Sequence, residues 1–382
     1  MNPHAIAEIT AFPVSYPLPP GAQPGMGTGR IVRRDAIVVK VVTVGGTVGW
    51  GECFHARSHM AIATLINAYL APLVEGMDAT AVVDVWSKVY NYHLAGYGAG
   101  AACYIALSGI DIALWDIRGK VANMPLYRLL GGSPRRVRAY AGGLSLGFEA
   151  PDRLIERIQA LAGAGYGAIK LRVGDTLEND IERLRRIREK FPALDIMTDA
   201  NTAYTLADAT KVLPVMDELR IGWLEEPFSM DDRDAYRLAS QAGSTPLAAG
   251  ENLYSKFEFV RAIEDGSIRI LQPDLSKAGG ITEGCRIAAL AAAYKLPVHV
   301  HSSMTGINQA ASIHFLASIE NAGLFEADVS EGNKFRDELV TTPYAVDRDG
   351  CVAPNEGAGL GIEIDETFFA RYPAAHGLTN KV

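Results

Sequence analysis

Eight short apolar runs recur through the middle of the chain, and their spacing leaves few folds open. They are VRAYAGG (137–143), GAIKLRV (167–173), LDIMTDAN (194–201), IGWLEEP (221–227), TPLAAGEN (245–252), IRILQPDLS (268–276), LPVHVHSS (296–303) and GLFEAD (323–328). Most begin about 22 to 30 residues after the one before, and helix-compatible stretches such as DRLIERIQALAGAG (152–165) and IERLRRIREKF (181–191) lie between many of them. Strand, helix, strand at that pitch is the pattern of βαβ units and a parallel sheet. Eight such strands within about 190 residues predict a (β/α) barrel. The alternative, a doubly wound open sheet, would carry a glycine-rich phosphate loop after its first strand, and AYAGGLSLG (139–147) matches one poorly.

The flanks read differently. In DAIVVKVVTVGGTVGWGE (35–52), β-branched runs flank Gly45 and Gly46, which predicts a hairpin. From about 58 to 130 the period changes: ATLINAYLAPLV (63–74) and ALSGIDIALWDIRGK (106–120) place apolar residues at helical spacing. Strands followed by helices without alternation predict an α+β unit. The tail resumes strand-like texture in GLGIEID (359–365), as if returning to that first unit.

In a barrel, active sites sit at the C-terminal ends of the strands. The third, fourth and fifth runs end in Asp199, Glu225 and Glu251, each 26 residues from the last. Three consecutive strands therefore deliver one carboxylate apiece to neighbouring places on one rim. Uncompensated carboxylates that close repel strongly. A divalent cation resolves the conflict, and hard oxygen ligands suit Mg2+, with Mn2+ as a substitute. Side-chain alternation admits only one of Glu225 and Glu226 to the interior; the expectation is Glu225, with Glu226 in a supporting or ion-pair role. The second run carries Lys170 and Arg172, and the seventh His299 and His301, each pair two apart and so on one face. The sixth ends in Asp274, and an Asp beside a His fixes the ring and raises its basicity.

Composition removes other classes of function. With 382 residues, 48% hydrophobic and 21% charged, the chain can bury a large core. A net charge of −8 argues against a nucleic-acid partner, which would select a basic face. Cys53, Cys103, Cys285 and Cys351 have no CxxC spacing, as expected of reduced thiols. No export signal is visible, and no uncharged apolar run approaches the roughly 18 residues of a membrane span. A cytoplasmic protein with no nucleic-acid or membrane partner is the expectation.

The helix SGIDIALWDIRGK (108–120), the DAN, EEP and GEN strand ends, and QPDLSKAGG (272–280) together resemble the enolase superfamily, and within it the mandelate-racemase-like subgroup. The resemblance covers nearly the whole chain. It implies an α+β capping domain (1–125), a modified (β/α)7β TIM-type barrel (126–338), and a C-terminal segment (339–382) returning to the cap. It implies Mg2+ on Asp199, Glu225 and Glu251, His301 as a catalytic base paired with Asp274, and Glu326 near the substrate carboxylate. Asn201, His55 and His299 are expected at the substrate. A homo-oligomer, from dimer to octamer, is also implied. Asp274, where members resembling muconate cycloisomerases and dipeptide epimerases carry a lysine, favours the racemase and acid-sugar dehydratase side; Lys277 follows three residues on. The departure is Lys170-Leu171-Arg172, where the subgroup commonly has Lys-x-Lys. Arginine stays protonated, so Arg172 is a poor proton acceptor but a good fork for a carboxylate or hydroxyl.

The expected reaction is abstraction of a proton α to a carboxylate, giving an enediolate, and then loss of water from an aldonate or aldarate to leave a 2-keto-3-deoxy acid. A racemase or epimerase, a lactone cycloisomerase, and a silent sugar-acid-binding homologue are the alternatives. Lids over the barrel mouth are expected at PPGAQPGMGTGR (19–30) and CFHARSHM (53–60), where His55, Arg57 and His59 offer donors.

Overall fold

The computed structural model describes residues 2–20, 23–26, 29–98, 100–143, 146–302 and 304–381. The N-terminal unit begins with β1 (Ile6–Pro17), β2 (Gly25–Met26), β3 (Gly29–Ile31), β4 (Arg33–Thr43) and β5 (Val48–Cys53). Of these, β1, β4 and β5 form an antiparallel sheet in the order β1-β4-β5. The Gly45–Gly46 pair makes the predicted hairpin: Gly46 takes a φ of +84° and donates its N–H to Thr43 O at 2.9 Å. Residues 21, 22, 27 and 28 of the glycine-rich stretch expected as a lid lie outside the described residues.

The helix Gly100–Ala122 packs on β5, and glycines let it approach. A Cβ at Gly49 would run into the Ala113 carbonyl, one at Gly51 into the Gly109 carbonyl, and one at Gly109 into Cys53 Sγ. The helix has 23 residues and a mean hydropathy of 1.4 over its most apolar window, enough by length to cross a membrane, but 72% of that window is buried inside the protein. Its other side meets the barrel, where Trp115 Nε1 donates to Thr282 Oγ1 (2.8 Å) and Thr282 N to Asp111 Oδ2 (2.9 Å).

The eight runs form β6 (Val137–Gly142), β7 (Ala168–Arg172), β8 (Asp195–Asp199), β9 (Leu224–Glu225), β10 (Leu247–Ala249), β11 (Ile268–Leu271), β12 (Val298–Val300) and β13 (Ala322–Asp328). All pair in parallel with their sequence neighbours, and β13 closes on β6 from Phe325↔Ala139 to Asp328↔Gly142. Helices from Pro151–Gly163 to Gly306–Leu316 fill the seven crossovers, which makes the barrel (β/α)7β, as expected. Inside it, Tyr140, Ala168, Met197, Trp223, Ala248 and Ile270 pack as a layer beneath the rim. The tail touches both units. β14 (Cys351–Val352) pairs with β6 of the barrel, and β15 (Asn380–Lys381) pairs with β3.

Replacing Gly51 with alanine forces the strand off its helix. Urea unfolding should show a loss of about 3 kcal/mol, the upper range for overpacking a core; an unchanged midpoint would contradict the close contact.

Candidate active site

Side-chain alternation along the barrel strands stacks two kinds of layer: apolar below, ionisable at the mouth. Asp199, Glu225 and Glu251 each bring one carboxylate oxygen to within 4.8 Å of the others. Asp199 and Glu225 are buried, and Glu251 is half-buried. Glu225 accepts from Lys170 Nζ (2.8 Å), Gln272 Nε2 (2.6 Å) and Trp223 Nε1 (3.1 Å). Lys170 also lies 3.1 Å from Glu326 and 3.5 Å from Asp199. Burial works against its ammonium, but Glu225 and Glu326 outweigh burial and hold it charged, well above the usual lysine range. Glu225 is pushed up to about 7: burial leads, and its acidic neighbours Asp199, Glu326 and Glu251 add to it against the pull of Lys170. Three convergent hard oxygens on neighbouring strands fit a divalent cation.

Glu226 stands next in the chain but outside the triad. It takes a φ of +36° and accepts from Asn252 Nδ2 at 2.8 Å. Burial and the nearby Glu251 raise its carboxyl well above the usual range.

Beside the triad, His301 Nδ1 sits 2.6 Å from Asp274 Oδ2, and Nε2 lies 3.1 Å from Glu251. Asp274 is itself held: its other oxygen accepts from Ser276 N (2.7 Å), Ser276 Oγ (2.6 Å) and Asn308 Nδ2 (3.1 Å). Asn308 belongs to the first turn of the helix Gly306–Leu316. Its backbone N–H donates to Glu52 at 3.0 Å, and Thr305 Oγ1 also donates to Glu52. Glu52 lies in β5, next to its final residue Cys53, so a buried chain of hydrogen bonds runs from the N-terminal sheet to the histidine.

The other expected residues divide. Glu326 accepts from Gly143 N (3.2 Å) and Ser302 N (3.1 Å). Burial opposes its charge, but Lys170, His301 and these two N–H groups hold it down to about 2. The Arg172 fork is engaged by Asp199, by Asn201 Oδ1 and by the Gly143 carbonyl, so the carboxylate it holds here is the protein's own. A cavity of about 340 Å3 is lined by Arg172, Asn201, Glu251, Lys277 and His301 from the barrel and by His55 and Arg57 from the N-terminal unit.

His299 is not brought there. It points inward one layer deeper, 5.0 Å from the Trp223 ring, accepts from Leu324 N, and fills the space that Gly323 leaves open. Nor does His59 reach the cavity: it is buried 3.8 Å from Asp35.

Lys277 was given no role by its sequence position but stands at the cavity. Its Nζ bonds Asn252 Oδ1 (2.8 Å), lies 3.8 Å from Glu251 and sits over the Phe54 ring. Its only signal was a position three residues past Asp274. Asn308 and Glu52 gave none.

Five of the nine non-glycine residues with positive φ among the described residues line this one cavity: Ala56, Arg57, Asn201, Thr202 and Glu226.

Burial alone would lower the His301 imidazole, but Glu251, the Asp274 bond and Glu326 outweigh it and raise it from 6.5 to about 9. Its folded value lies above the unfolded one, so its contribution to stability is present below about pH 6.5 and lost as pH rises through about 9. NMR titration of the metal-free protein should place His301 near 9, and Mg2+ should move it down by cancelling the charge of Glu251. A metal-free value at or below the ordinary one would contradict the arrangement.

Comparison with known proteins agrees with this architecture. Residues 8–131 match the mandelate racemase / muconate lactonizing enzyme N-terminal domain, and residues 153–368 match the enolase C-terminal domain-like model. The chain is 34% identical to D-galactarolactone cycloisomerase from Agrobacterium fabrum, over 88% of this chain and 90% of that one. It is 31% identical to arabinonate dehydratase from Saccharolobus solfataricus, with the same coverage. The crystal structure of an enolase superfamily member from Polaromonas sp. JS666 superposes with a TM-score of 0.96 at 51% identity, covering 99% of this chain and 100% of that one. Fold, rim and relatives lead to one assignment: the chain is an enolase-superfamily enzyme and belongs to the mandelate racemase / muconate lactonizing enzyme family.

Proposed function

We propose that this enzyme dehydrates a sugar acid, an aldonate or aldarate, to a 2-keto-3-deoxy acid. The observation that carries the reading is the His301–Asp274 pair facing the three carboxylates, with arginine rather than a second lysine at 172. Asp199, Glu225 and Glu251 would hold Mg2+, which when bound supplies positive charge against the negative charge that develops on the substrate carboxylate.

The chain's own residues do the proton work. His301 Nε2 takes the α-proton, while Asp274 holds Nδ1 and stabilises the imidazolium that forms. The C3–O bond then breaks, and the departing hydroxide leaves as water with a proton from His301 or Lys170. The resulting enol becomes the ketone. Lys170, held charged by Glu225 and Glu326 in the metal-free chain, could supply that proton. Arginine at 172 in place of a second lysine favours elimination over racemisation by two bases on opposite faces. Arg172 would meet the carboxylate end, and Glu326 holds Lys170 charged beside it.

A lactone cycloisomerase is the second reading, because the α-proton step would be the same and only the leaving oxygen would differ. The similarity to a D-galactarolactone cycloisomerase supports keeping it.

Proton NMR in D2O with Mg2+, across aldonic acids, aldaric acids and their lactones, separates the two by the compound consumed. His301→Asn should lower α-proton loss by at least roughly a hundredfold while Mg2+ binding by calorimetry persists. Undiminished exchange in that variant would remove His301 from the role of base.

A further inference from the structure

One cation at the barrel mouth has no part in the chemistry so far. Lys277 is 2% exposed and lines the cavity with His301 and Glu251. It stands in the turn that follows β11, where its own N–H and that of Ala278 donate to the Asp274 carbonyl at 3.0 and 2.8 Å. The turn that supplies the carboxylate partner of His301 therefore supplies this ammonium as well. Phe54 of the N-terminal unit docks on the same turn. Its N–H donates to Ser276 O at 3.1 Å, and its ring lies 4.3 Å from Lys277 Nζ and 6.3 Å, edge on, from the His301 ring.

Two observations fix where the ammonium can act. The first is Glu251, which joins the two side chains: Oε2 is 3.1 Å from His301 Nε2, and Oε1 is 3.8 Å from Lys277 Nζ. Lys277 and His301 thus flank one carboxylate and face one cavity. The second is the donor count. An ammonium has three N–H groups. Among the described residues, Lys277 gives one to Asn252 Oδ1 at 2.8 Å, and Glu251 lies beyond hydrogen-bond length. Asn252 is held in turn by Glu226, which accepts from its Nδ2 at 2.8 Å. A buried donor left unmatched is costly, and the cavity is where an acceptor can stand. Lys170 differs, with three carboxylates within 3.5 Å of its Nζ.

In the reaction proposed above, the oxygen that leaves is carried by the carbon next to the α-carbon. A substrate with its α C–H at His301 Nε2 presents that oxygen one carbon further on, toward a group that shares Glu251 with His301. Charge builds on the oxygen as its bond to carbon breaks, and a fixed donor counts most where charge develops. We propose that Lys277 is a further catalytic residue, whose ammonium donates a hydrogen bond to the leaving oxygen. The C3–O electron pair departs with that oxygen, the electrons of the enediolate form the C2–C3 double bond, and the proton comes from His301 or Lys170 as above. Lys277 itself transfers none. The inference rests on the α-proton chemistry proposed above and holds for a hydroxyl or a lactone oxygen alike.

Lys277→Met, assayed as the full Mg2+-loaded chain in D2O on the compound that the unaltered enzyme consumes, separates the two halves of the reaction. Product formation should fall roughly a hundredfold, the loss of one donor to a developing charge, while α-deuterium still enters the recovered substrate within about threefold of the unaltered rate of α-proton removal. Mg2+ binding by calorimetry should persist. Equal falls in exchange and product formation, no fall in product formation, or loss of Mg2+ binding would each overturn the assignment. If the unaltered enzyme consumes a lactone instead of an open acid, the dehydration reading fails, and the same split keeps Lys277. If it consumes nothing and exchanges no α-proton, that reading fails on its own. Calorimetric binding of each aldonic acid and its 3-deoxy analogue then decides Lys277: a preference for the 3-hydroxy acid that the variant loses keeps it, and a preference that the variant retains, or none in the unaltered enzyme, removes it.

Discussion

Three carboxylate oxygens within 4.8 Å of one another set the terms for the whole barrel mouth. At the effective dielectric of a protein site, mutual repulsion of that kind amounts to about 10 kcal/mol. The net stability of a folded domain is of the same order. Such a cluster cannot exist without positive charge beside it, and the rim is built accordingly. Lys170, Arg172, Lys277 and His301 each contact at least one of the three acids. These cations play the balancing part in the metal-free chain.

The N-terminal sheet is joined to this mouth by more than contact. Glu52 is completely buried near the end of β5 and binds the start of the helix that carries Asn308, and Asn308 binds Asp274. Burial raises Glu52 to about 8 despite the bond from Thr305, so near neutrality it is largely a neutral hydrogen-bonding group that adds little charge beside the dyad. Displacing the sheet would disturb the partner that orients the His301 ring. The glycine-mediated approach of β5 to the helix Gly100–Ala122 therefore contributes to chemistry some distance from it.

Most of the rim was legible because barrel strands make sequence position and spatial position nearly equivalent. Equal 26-residue gaps placed Asp199, Glu225 and Glu251 on consecutive strands, and alternation placed Lys170 beside Arg172. The same alternation could say that His299 faces inward but not how deep it lies. Depth depends on Trp223 and on the space over Gly323, which belong to other strands. Lys277 and Asn308 leave regular strands altogether, so their partners are set by loop and helix-start geometry that no period encodes. The partners of the Arg172 fork were hidden for a related reason. Its chemistry was plain, but the proximity of Asn201 and the Gly143 carbonyl arises only on folding.

Left-handed backbone at non-glycine residues carries an energetic cost of order 1 to 3 kcal/mol each, and a folded chain tolerates it only where surrounding contacts enforce it. In this protein that cost is concentrated at Ala56, Arg57, Asn201, Thr202 and Glu226, around a single cavity. Thermostability engineering would be drawn to those five positions first, since glycine relieves the torsion at each. It would be working against the enzyme there. Glycine at 201 or 226 would relax the rim by deleting the side chain that the turn exists to aim, so robustness has to be sought in the helices and the sheet.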